Sequence, residues 1–362
     1  MPGMFSLRSF SDIDLSDPFF NSLKTDYQGS VKTTEFTTWF QAKAAEGRSA
    51  LVFNDDEGLG AFIAIKPECE SIELDELTLP AIQRLKICTF LIAPRFRGQR
   101  LGEGALGLVL WKWQDLGYDE VYVTVFDSHT DLIGQLLKFG FKLAGHRDGE
   151  GVYVKSRKSI DYSDPYKSFP FVKSDFDEAG YLVVNDYFHD TLFPYSELKR
   201  RNTPKVILDV SNGLSKTYIG SPTSALGFKP GDPVFVYRKH TGSGSAGYNS
   251  CVTTYCMVKD IIYVKSNGKA LLAYEDYLSR IGNKSVYEPL ELSNQYNNNK
   301  TLVLIELVYY GFFGGGNNLN WIWLKNNNCW GNTYPTSVKL TQEQFKKILK
   351  AGNVDVSNVI ID

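Results

Sequence analysis

A strand, a loop and a helix between residues 84 and 116 bring together residue types that bind phosphate. The apolar run Arg84–Ile92 predicts a strand buried on both faces, which ends before Pro94. The loop that follows contains Arg97-Gly98-Gln99-Arg100-Leu101-Gly102, and Glu103–Leu116 predicts a helix. N–H groups of such a turn and of a helix N-terminus attract anions, while the glycines allow close approach and the arginines add positive charge. The loop therefore predicts a pyrophosphate site, with an ordinary structural turn as the alternative.

The elements around this loop indicate an α+β domain built on a mixed sheet. Helices are expected where apolar side chains recur at i, i+3 and i+4, as Phe36, Trp39 and Phe40 do. Strands are predicted over Phe5–Phe10, Ala50–Phe53, Gly60–Ile65, Glu120–Phe126, Phe141–Gly145 and Val152–Lys155, and further helices over Phe19–Tyr27, Glu35–Ala45 and Asp131–Phe139. This order places the loop in the middle of a domain over residues 1–157.

The loop resembles the signature of the GNAT acetyltransferase superfamily, Arg/Gln-x-x-Gly-x-Gly/Ala after the central strand. Arg97–Gly102 fits with one departure, because Arg100 stands where the family has its first glycine. The resemblance covers residues 5–155 and implies an acetyl-CoA site. It implies that the main chain of Phe90, Leu91 and Ile92 pairs with the pantetheine arm, and that Arg97, Gly98, Gln99, Arg100, Leu101 and Gly102 hold the pyrophosphate. It also implies that the strands Arg84–Ile92 and Glu120–Phe126 splay to admit the thioester.

The same resemblance bears on catalysis. The family has a Tyr general acid four residues before the Gly-Phe pair that Gly140 begins here, and Leu136 occupies that position. Transfer to an amine also needs a base, and the nearest candidates are Asp127 and His129, after the strand Glu120–Phe126. The ordinary pKa of histidine, near 6.5, suits that role. The alternative is that His129 hydrogen-bonds the pantetheine or caps a helix.

Cys88 lies in the middle of the predicted central strand. A thiol there suggests a covalent acyl-cysteine route, with a buried structural cysteine as the alternative.

The second half of the chain differs from the first half in its predicted elements, which are mostly short strands. A Lys-Pro-Gly-Asp turn ending at Asp232 is typical of a strand entering a small barrel. Short strands are predicted over Val206–Asp209, Pro233–Tyr237, Thr253–Lys259, Ile261–Val264, Thr301–Tyr309 and Trp321–Leu324. A last helix over Thr341–Leu349 has Thr341 and Gln344 in capping-box positions. The sequence thus predicts a β-rich domain over 191–362, joined by a connector over 158–190.

Pro194–Arg201 and Pro335–Phe345 make this half similar to PUA/ASCH-like RNA-associated barrels, over residues 190–350. The resemblance implies contact with RNA, with base stacking on Trp321, Trp323 or Tyr248. The phosphate contacts that it implies are Lys199, Arg200, Arg201, Arg238 and Lys239, with His240 beside them. A solvated basic face, and rings that only cover one side of a barrel, are the alternatives.

Charge divides the chain in the same way. Residues 1–190 carry 20 Lys and Arg against 29 Asp and Glu, whereas residues 191–362 carry 19 against 12. A basic half suggests a polyanionic partner such as nucleic acid, or only a solvated surface.

Composition also argues against several other classes of protein. The five cysteines form no CxxC pair and the four histidines have no ligand spacing, so neither a disulfide framework nor a metal site is expected. No apolar run approaches the roughly 18 residues of a membrane span, and the N-terminal residues lack the features of a secretory signal. The sequence predicts a cytoplasmic protein that does not bind membranes.

Together these features predict an acetyl-CoA-dependent N-acyltransferase with an amine acceptor on a small molecule, a protein or RNA. The second domain is expected to select or present that acceptor. The alternative is a catalytically weak CoA-binding protein that acts as a sensor or a nucleic-acid module, which Leu136 favours.

Overall fold

The computed structural model describes residues 4–28, 35–196 and 209–362. The chain divides into two compact units, Met1–Asp161 and Tyr162–Asp362, each with its own sheet.

The first unit is built on a mixed sheet. Its strands are β1 (Met4–Ser9), β2 (Ser49–Asp55), β3 (Gly58–Glu68), β4 (Ile72–Glu73), β5 (Thr78–Leu79), β6 (Arg84–Ile92), β7 (Glu120–Phe126), β8 (Lys142–Arg147) and β9 (Glu150–Ser156). Its helices are α1 (Asn21–Gln28), α2 (Phe36–Ala45), α3 (Leu101–Leu116) and α4 (Thr130–Lys138). The strand order is β1-β2-β3-β6-β7-β9-β8, with β4 and β5 paired separately. The β6–β7 pair is parallel and its neighbours in this sheet are antiparallel.

An aromatic cluster fixes α2 and the segment before α1 against β3. Phe10, Phe20 and Phe40 pack against Phe62, and Phe36 packs against Phe20 and Phe40, each ring 3% exposed or less. Burying one such side chain contributes about 1.5–3 kcal/mol, so this cluster is a main source of stability for the unit.

Two lysines hold α4 beside α3 and the sheet. Lys138 Nζ donates to Glu103 Oε2 at 2.9 Å, and the Glu103 side chain is 5% exposed. Lys155 Nζ, on β9, donates to the carbonyl of Phe139 at the end of α4 at 2.6 Å. Burial lowers the pKa of Lys155 to about 7, against a smaller raising effect of Asp161.

The second unit is built around a long strand. Its strands are β10 (Val172–Lys173), β11 (Gly180–Asn185), β12 (Ser215–Gly220), β13 (Pro233–Lys239), β14 (Cys251–Ser266), β15 (Lys269–Ala270), β16 (Leu302–Phe312), β17 (Leu319–Asn320) and β18 (Ile360–Ile361). Its helices are α5 (Pro165–Ser168), α6 (Asp186–Leu192), α7 (Ala246–Asn249), α8 (Tyr274–Ile281), α9 (Pro289–Asn298), α10 (Trp321–Asn326), α11 (Gln342–Ala351) and α12 (Val356–Val359). The main sheet has the order β11-β13-β14-β16-β12, and β15 and β17 also pair with β14.

The second unit departs from the predicted elements at several places. The predicted strand Trp321–Leu324 is helix α10, because the Asn320 side chain accepts from the Trp323 N–H and caps it. Residues 158–190, expected to be a connector, contain β10, β11 and α5. The capping box of Thr341 and Gln344 on α11 is confirmed. Most of the predicted strand 206–209 lies outside the described residues.

Candidate functional site

The parallel strands β6 and β7 separate before either of them ends. They pair from Arg84 with Glu120 to Ile87 with Val123, and the pairing stops there. Beyond this point β6 stays paired with β3 up to Ile92, while β7 stays paired with β9 up to Phe126. One main-chain edge of each strand therefore faces a gap, which we call the β6–β7 opening (residues 88–92 and 124–126).

A bulge accounts for the separation. Ala64 pairs with Thr89 and Ile65 with Ile87, so Cys88 is an extra residue on β6. A bulge bends its strand and increases the local twist. Because Cys88 directly follows the last residue paired with β7, the bend falls where the two strands part. Burial raises the pKa of the Cys88 thiol, so it stays protonated and gives little support to an acyl-cysteine route.

The closed end of the opening is held by a buried ion pair between the two strands. Arg84 is 1% exposed, and its Nε donates to Glu120 Oε2 at 2.7 Å. Its Nη1 donates to the carbonyls of Pro80 at 2.7 Å and Glu70 at 3.1 Å. These fixed contacts keep the strands together at one end while the other end stays open.

The loop after β6 has two residues in the left-handed region. Gly98 has φ 77°, and Arg100, directly before α3, has φ 59° and ψ 16°. A non-glycine residue in that conformation costs about 1–2 kcal/mol. Arg100 thus adopts the backbone that the usual glycine of the motif would adopt without strain.

The first turn of α3 leaves space beside its main chain. The Arg100 side chain makes no capping hydrogen bond, and the first N–H groups of a helix have no acceptor within it. A Cβ on Gly102 would meet only Ile92 Cγ1, at the ordinary contact distance of 3.7 Å. Glycine in a helix costs about 1 kcal/mol relative to alanine, and packing within the protein does not require it here. Gly102 therefore keeps open the space where an anion would meet the helix N-terminus.

Neighbouring side chains fix the loop from one side. Arg95 Nη2 donates to Asp55 Oδ1 at 2.8 Å and to the carbonyl of Gly58 at 3.1 Å. Burial raises the pKa of Asp55, but its hydrogen bonds from Arg95 and from the Glu57 N–H outweigh this and lower it overall. The Phe96 ring lies where a Cβ on Gly60 would come within 2.5 Å, so only glycine fits at 60.

The remaining predicted cofactor residues differ in exposure. Arg97 and Gly98 are exposed, Phe90, Leu91, Ile92, Gln99, Arg100 and Gly102 are half-buried, and Leu101 is buried. Among the described residues none forms an ion pair with Arg97. Arg95 thus holds the loop, and Arg97 is left to solvent or a ligand.

The two predicted bases, Asp127 and His129, both follow β7, but each lies beside a different partner side chain. His129 Nε2 is 3.6 Å from Asp26 Oδ2 on α1, and its ring is 44% exposed. Asp127 Oδ1 is 3.6 Å from His146 Nε2 on β8, and this carboxylate is 69% exposed. His129 precedes α4 without a side-chain capping bond, so the structure gives no support to the capping alternative.

Sequence reasoning missed Thr89. This side chain is 6% exposed, and its Oγ1 has no hydrogen-bond partner among the described residues. It pairs with Ala64, which belongs to the aromatic cluster under α1 and α2, and opposed residues point to the same face. The only sequence signal was a hydroxyl in an apolar strand. Leu136, by contrast, is 1% exposed and fills core space.

The predicted nucleic-acid contacts differ in whether they lie within the described residues and in whether they are exposed. Lys199, Arg200 and Arg201 lie outside the described residues. Arg238 is 8% exposed, and its Nε and Nη2 donate to Asp190 Oδ1 and Oδ2, both at 2.9 Å. This buried pairing occupies the guanidinium, so it does not present Arg238 to a phosphate. Lys239 is exposed, and His240 contacts Asp186 at 3.1 Å.

The three predicted stacking residues lie on the short helices α7 and α10. Tyr248 is 67% exposed, whereas Trp321 and Trp323 are half-buried on α10. Lys325 Nζ lies 5.1 Å from the centre of the Trp321 ring.

None of the helices in residues 4–28, 35–196 and 209–362 combines the length and the apolar character of a membrane span. No group of three or more His, Cys, Asp or Glu in those ranges is arranged to hold a metal ion.

The chain matches no protein-family model and no curated protein. Among solved structures it is similar to a GNAT-family acetyltransferase from Listeria monocytogenes, with 16% identity, a TM-score of 0.31, and coverage of 42% of this chain and 94% of that one. It is also similar to Ard1 from Thermoplasma volcanium, with 15% identity, a TM-score of 0.28 and coverage of 42% and 95%. Arabidopsis thaliana Naa50, solved with a bisubstrate analogue containing CoA, has 20% identity, a TM-score of 0.29 and coverage of 42% and 98%. These low values do not establish a family for the chain.

Proposed function

We propose that the first unit binds acetyl-CoA in the β6–β7 opening and transfers the acetyl group to an amine. The observation that carries this proposal is the parting of β6 from β7 next to a loop that ends at a helix N-terminus. An open strand edge pairs with an extended chain that carries amide groups, and the helix N-terminus attracts phosphate. A pyrophosphate joined to a diamide arm that ends in a thioester fits both features. The resemblance of Arg97–Gly102 to the acetyltransferase motif supports the same ligand.

Each part of the proposed site holds a different part of acetyl-CoA. The N–H groups at the start of α3 and the charges of Arg97 and Arg100 hold the pyrophosphate. The main chain of Phe90, Leu91 and Ile92 pairs with the pantetheine arm. The thioester then lies near the bulge at Cys88, where main-chain N–H groups stabilise the charge that develops on its carbonyl oxygen.

His129 is the proposed proton acceptor. The amine nitrogen attacks the thioester carbon, the carbon–sulfur bond breaks, and the amine loses its proton to the imidazole. The Asp26 carboxylate, 3.6 Å from His129 Nε2, faces the cation that forms. Water protonates the leaving thiolate, whose ordinary pKa of about 8.5 makes a protein acid at position 136 unnecessary.

A CoA-binding sensor without transferase activity is the second candidate. The buried Leu136 favours it, because no hydroxyl group stands at the position of the family's general acid. The two candidates share the cofactor site and differ only in turnover.

The acceptor in this proposal is an amine, with no further identity. A nucleic-acid acceptor would need the basic groups of the second unit, and Lys239 is the one of the five predicted cations that is both described and exposed. An RNA acceptor therefore stays a prediction, and the proposal commits only to an amine.

The test compares Gly102→Val with Gly134→Val, a second helical glycine with no atom within 4 Å of its Cβ position. Both changes put a β-branched side chain into a helix, but only position 102 borders the proposed pyrophosphate site. Acetyl-CoA at about 100 times its Kd should raise the stability of the wild type and of Gly134→Val by about 2.7 kcal/mol, and that of Gly102→Val far less. Absence of stabilisation in the wild type would refute both candidates.

Turnover separates the two candidates. Mass spectrometry of an amine panel incubated with acetyl-CoA should show acetylated product, and His129→Ala should lower kcat by about 10²–10⁴ with little change in cofactor affinity. Binding without product across amines, peptides and RNA would favour the sensor.

A further inference from the structure

The two edges of the sheet in the first unit differ in how they are protected. Strand β8 forms one edge, begins with the exposed Lys142 and has a bulge between Leu143 and Gly145. The Asp75 N–H donates to the carbonyl of His146 at 2.8 Å, so the segment between β4 and β5 covers part of this edge. Charged residues, bulges and covering segments prevent an edge strand from pairing with another chain. Strand β8 has all three protections.

Strand β1, at the other edge, lacks these protections. It pairs with β2 in one continuous register from Met4 to Ser9, and it contains no proline and a single charged residue, Arg8. Within the described part of the chain, no strand pairs with its outer side. Leu7, in the middle of the strand, is 73% exposed. A regular and uncovered edge strand with an exposed apolar side chain is a surface on which another strand pairs.

The pairing of β1 with β2 shows which main-chain groups point to the open side. Directly beyond the two strands, the Phe10 N–H donates to the Arg48 carbonyl at 2.9 Å, in the register of the β1–β2 pair. Because the direction of the hydrogen bonds alternates along an antiparallel strand, the even-numbered residues of β1 bond to β2. The N–H and C=O groups that point to the open side are those of Phe5, Leu7 and Ser9.

We propose that β1 pairs antiparallel with β1 of a second copy of this chain, around a two-fold axis at Leu7. The outward-pointing residues are spaced evenly about Leu7. This register therefore joins Leu7 to Leu7 of the second copy and Phe5 to Ser9, with both N–H···O bonds made at every pair. A register shifted along the strand leaves Phe5 or Ser9 without a partner residue in β1.

The side chains of β1 are compatible with that register. Since opposed residues share a face, Leu7 packs on Leu7 of the second copy, and Phe5 lies diagonally beside it. Arg8 falls opposite Ser6, so like charges do not face each other directly. The edge is thus complementary to itself, as a two-fold interface requires, and this favours a second copy over an unrelated peptide. The proposal does not depend on the acetyltransferase activity proposed for the first unit.

The first test is the molar mass of the full chain, measured by sedimentation equilibrium over a range of concentrations. The wild type should form a dimer at submillimolar concentration. Leu7→Lys should weaken association at least about tenfold, because two ammonium groups would face each other across the axis. Leu290→Lys is the matched control, because Leu290 is also 73% exposed but lies on α9 of the second unit. Its association should equal that of the wild type.

Disulfide trapping tests the register. In a hydrogen-bonded antiparallel pair the opposed Cα atoms lie about 5.5 Å apart, which is a distance that a disulfide spans. Leu7→Cys should therefore form a covalent dimer under mild oxidation. Ser6→Cys should not, because Ser6 lies opposite Arg8 of the second copy. The wild type, which has an exposed cysteine at Cys69, gives the background.

Three results would overturn the proposal. A wild type that stays monomeric at submillimolar concentration would leave the edge to an extended segment of another protein. Equal association of Leu7→Lys and Leu290→Lys would place the dimer contact elsewhere on the chain. Equal trapping of Leu7→Cys and Ser6→Cys would exclude a two-fold axis at Leu7.

Discussion

Two regions of this protein contain hydroxyl, imidazole and carboxylate groups. In one region these groups are buried and paired with one another, and in the other they are partly exposed or lack a partner among the described residues. In the second unit, His189 Nδ1 contacts Asp190 Oδ1 at 2.9 Å and Nε2 contacts Thr253 Oγ1 at 2.6 Å. That connectivity is the one expected of a nucleophilic triad. His189 and Thr253 are 0% exposed, however, and Arg238 neutralises the carboxylate. This buried network has its contacts satisfied and offers no access to a substrate.

The β6–β7 opening has the reverse character. Its strand edges face a gap, Thr89 Oγ1 lacks a partner among the described residues, and Arg100 is held in a strained conformation. His129 and Asp26 are only partly buried. The comparison teaches that residue types alone do not identify a reactive site. Unsatisfied groups and access distinguish it from a network that stabilises the fold.

Breaking the buried network should have the largest effect on stability. Asp190→Ala removes both carboxylate oxygens that hydrogen-bond the buried Arg238 guanidinium and leaves, among the described residues, only Asp186 Oδ2 at 3.8 Å, and we expect a loss of about 3 kcal/mol. Asp177→Ala removes an exposed partner of Lys229 and serves as the control, with little expected change. Urea denaturation of the full chain measures both. Equal effects of the two variants would contradict a structural role for the network.

The pH dependence of stability tests whether the pKa of Lys155 is lowered in the folded protein. Its pKa is about 7 in the folded protein and near 10.5 when exposed, so between these values the unfolded chain binds the extra proton. The free energy of unfolding should therefore rise with pH in this window, by at most about 1.4 kcal/mol per pH unit from this group. Lys155→Met should remove that contribution, while Lys158→Met, at an exposed lysine, should keep it. An identical slope in both variants would refute the assignment.

Thr89 tests whether an unsatisfied group at the opening serves catalysis. Thr89→Val should lower kcat/KM for acetyl transfer by about tenfold, the value of one hydrogen bond, without loss of stability. Thr89→Ser should keep most of the rate. A valine variant with full activity would show that the hydroxyl takes no part.

Arg100 should show the smallest effect. Arg100→Gly relieves the left-handed strain and should raise stability by about 1 kcal/mol, while the lost charge weakens acetyl-CoA binding modestly. Arg97→Gly is the matched control, because Arg97 has φ −60° and gains nothing from glycine. Thermal unfolding and titration of both variants separate strain from charge. A stability gain at 97 equal to that at 100 would remove strain as the cause.

Local patterns predicted the elements around the site. The strand Arg84–Ile92 and the strand Glu120–Phe126 have the predicted bounds, and α3 begins only two residues earlier than expected. The bulge at Cys88 was not predictable, because it depends on the register of β3. The pairing of Arg238 with Asp190 joins residues 48 positions apart, which no local pattern reveals. At Trp321, alternating aromatic residues predicted a strand, but the Asn320 cap favours a helix.

The most direct test of the central claim is hydrogen exchange of the full chain with and without acetyl-CoA. If the β6–β7 opening holds the pantetheine arm and the α3 N-terminus holds the pyrophosphate, amides in residues 88–92 and 98–103 should become protected. The paired segment 84–87, already hydrogen-bonded to β7, should change little. Binding of acetyl-CoA without protection in residues 88–92 and 98–103 would contradict the account.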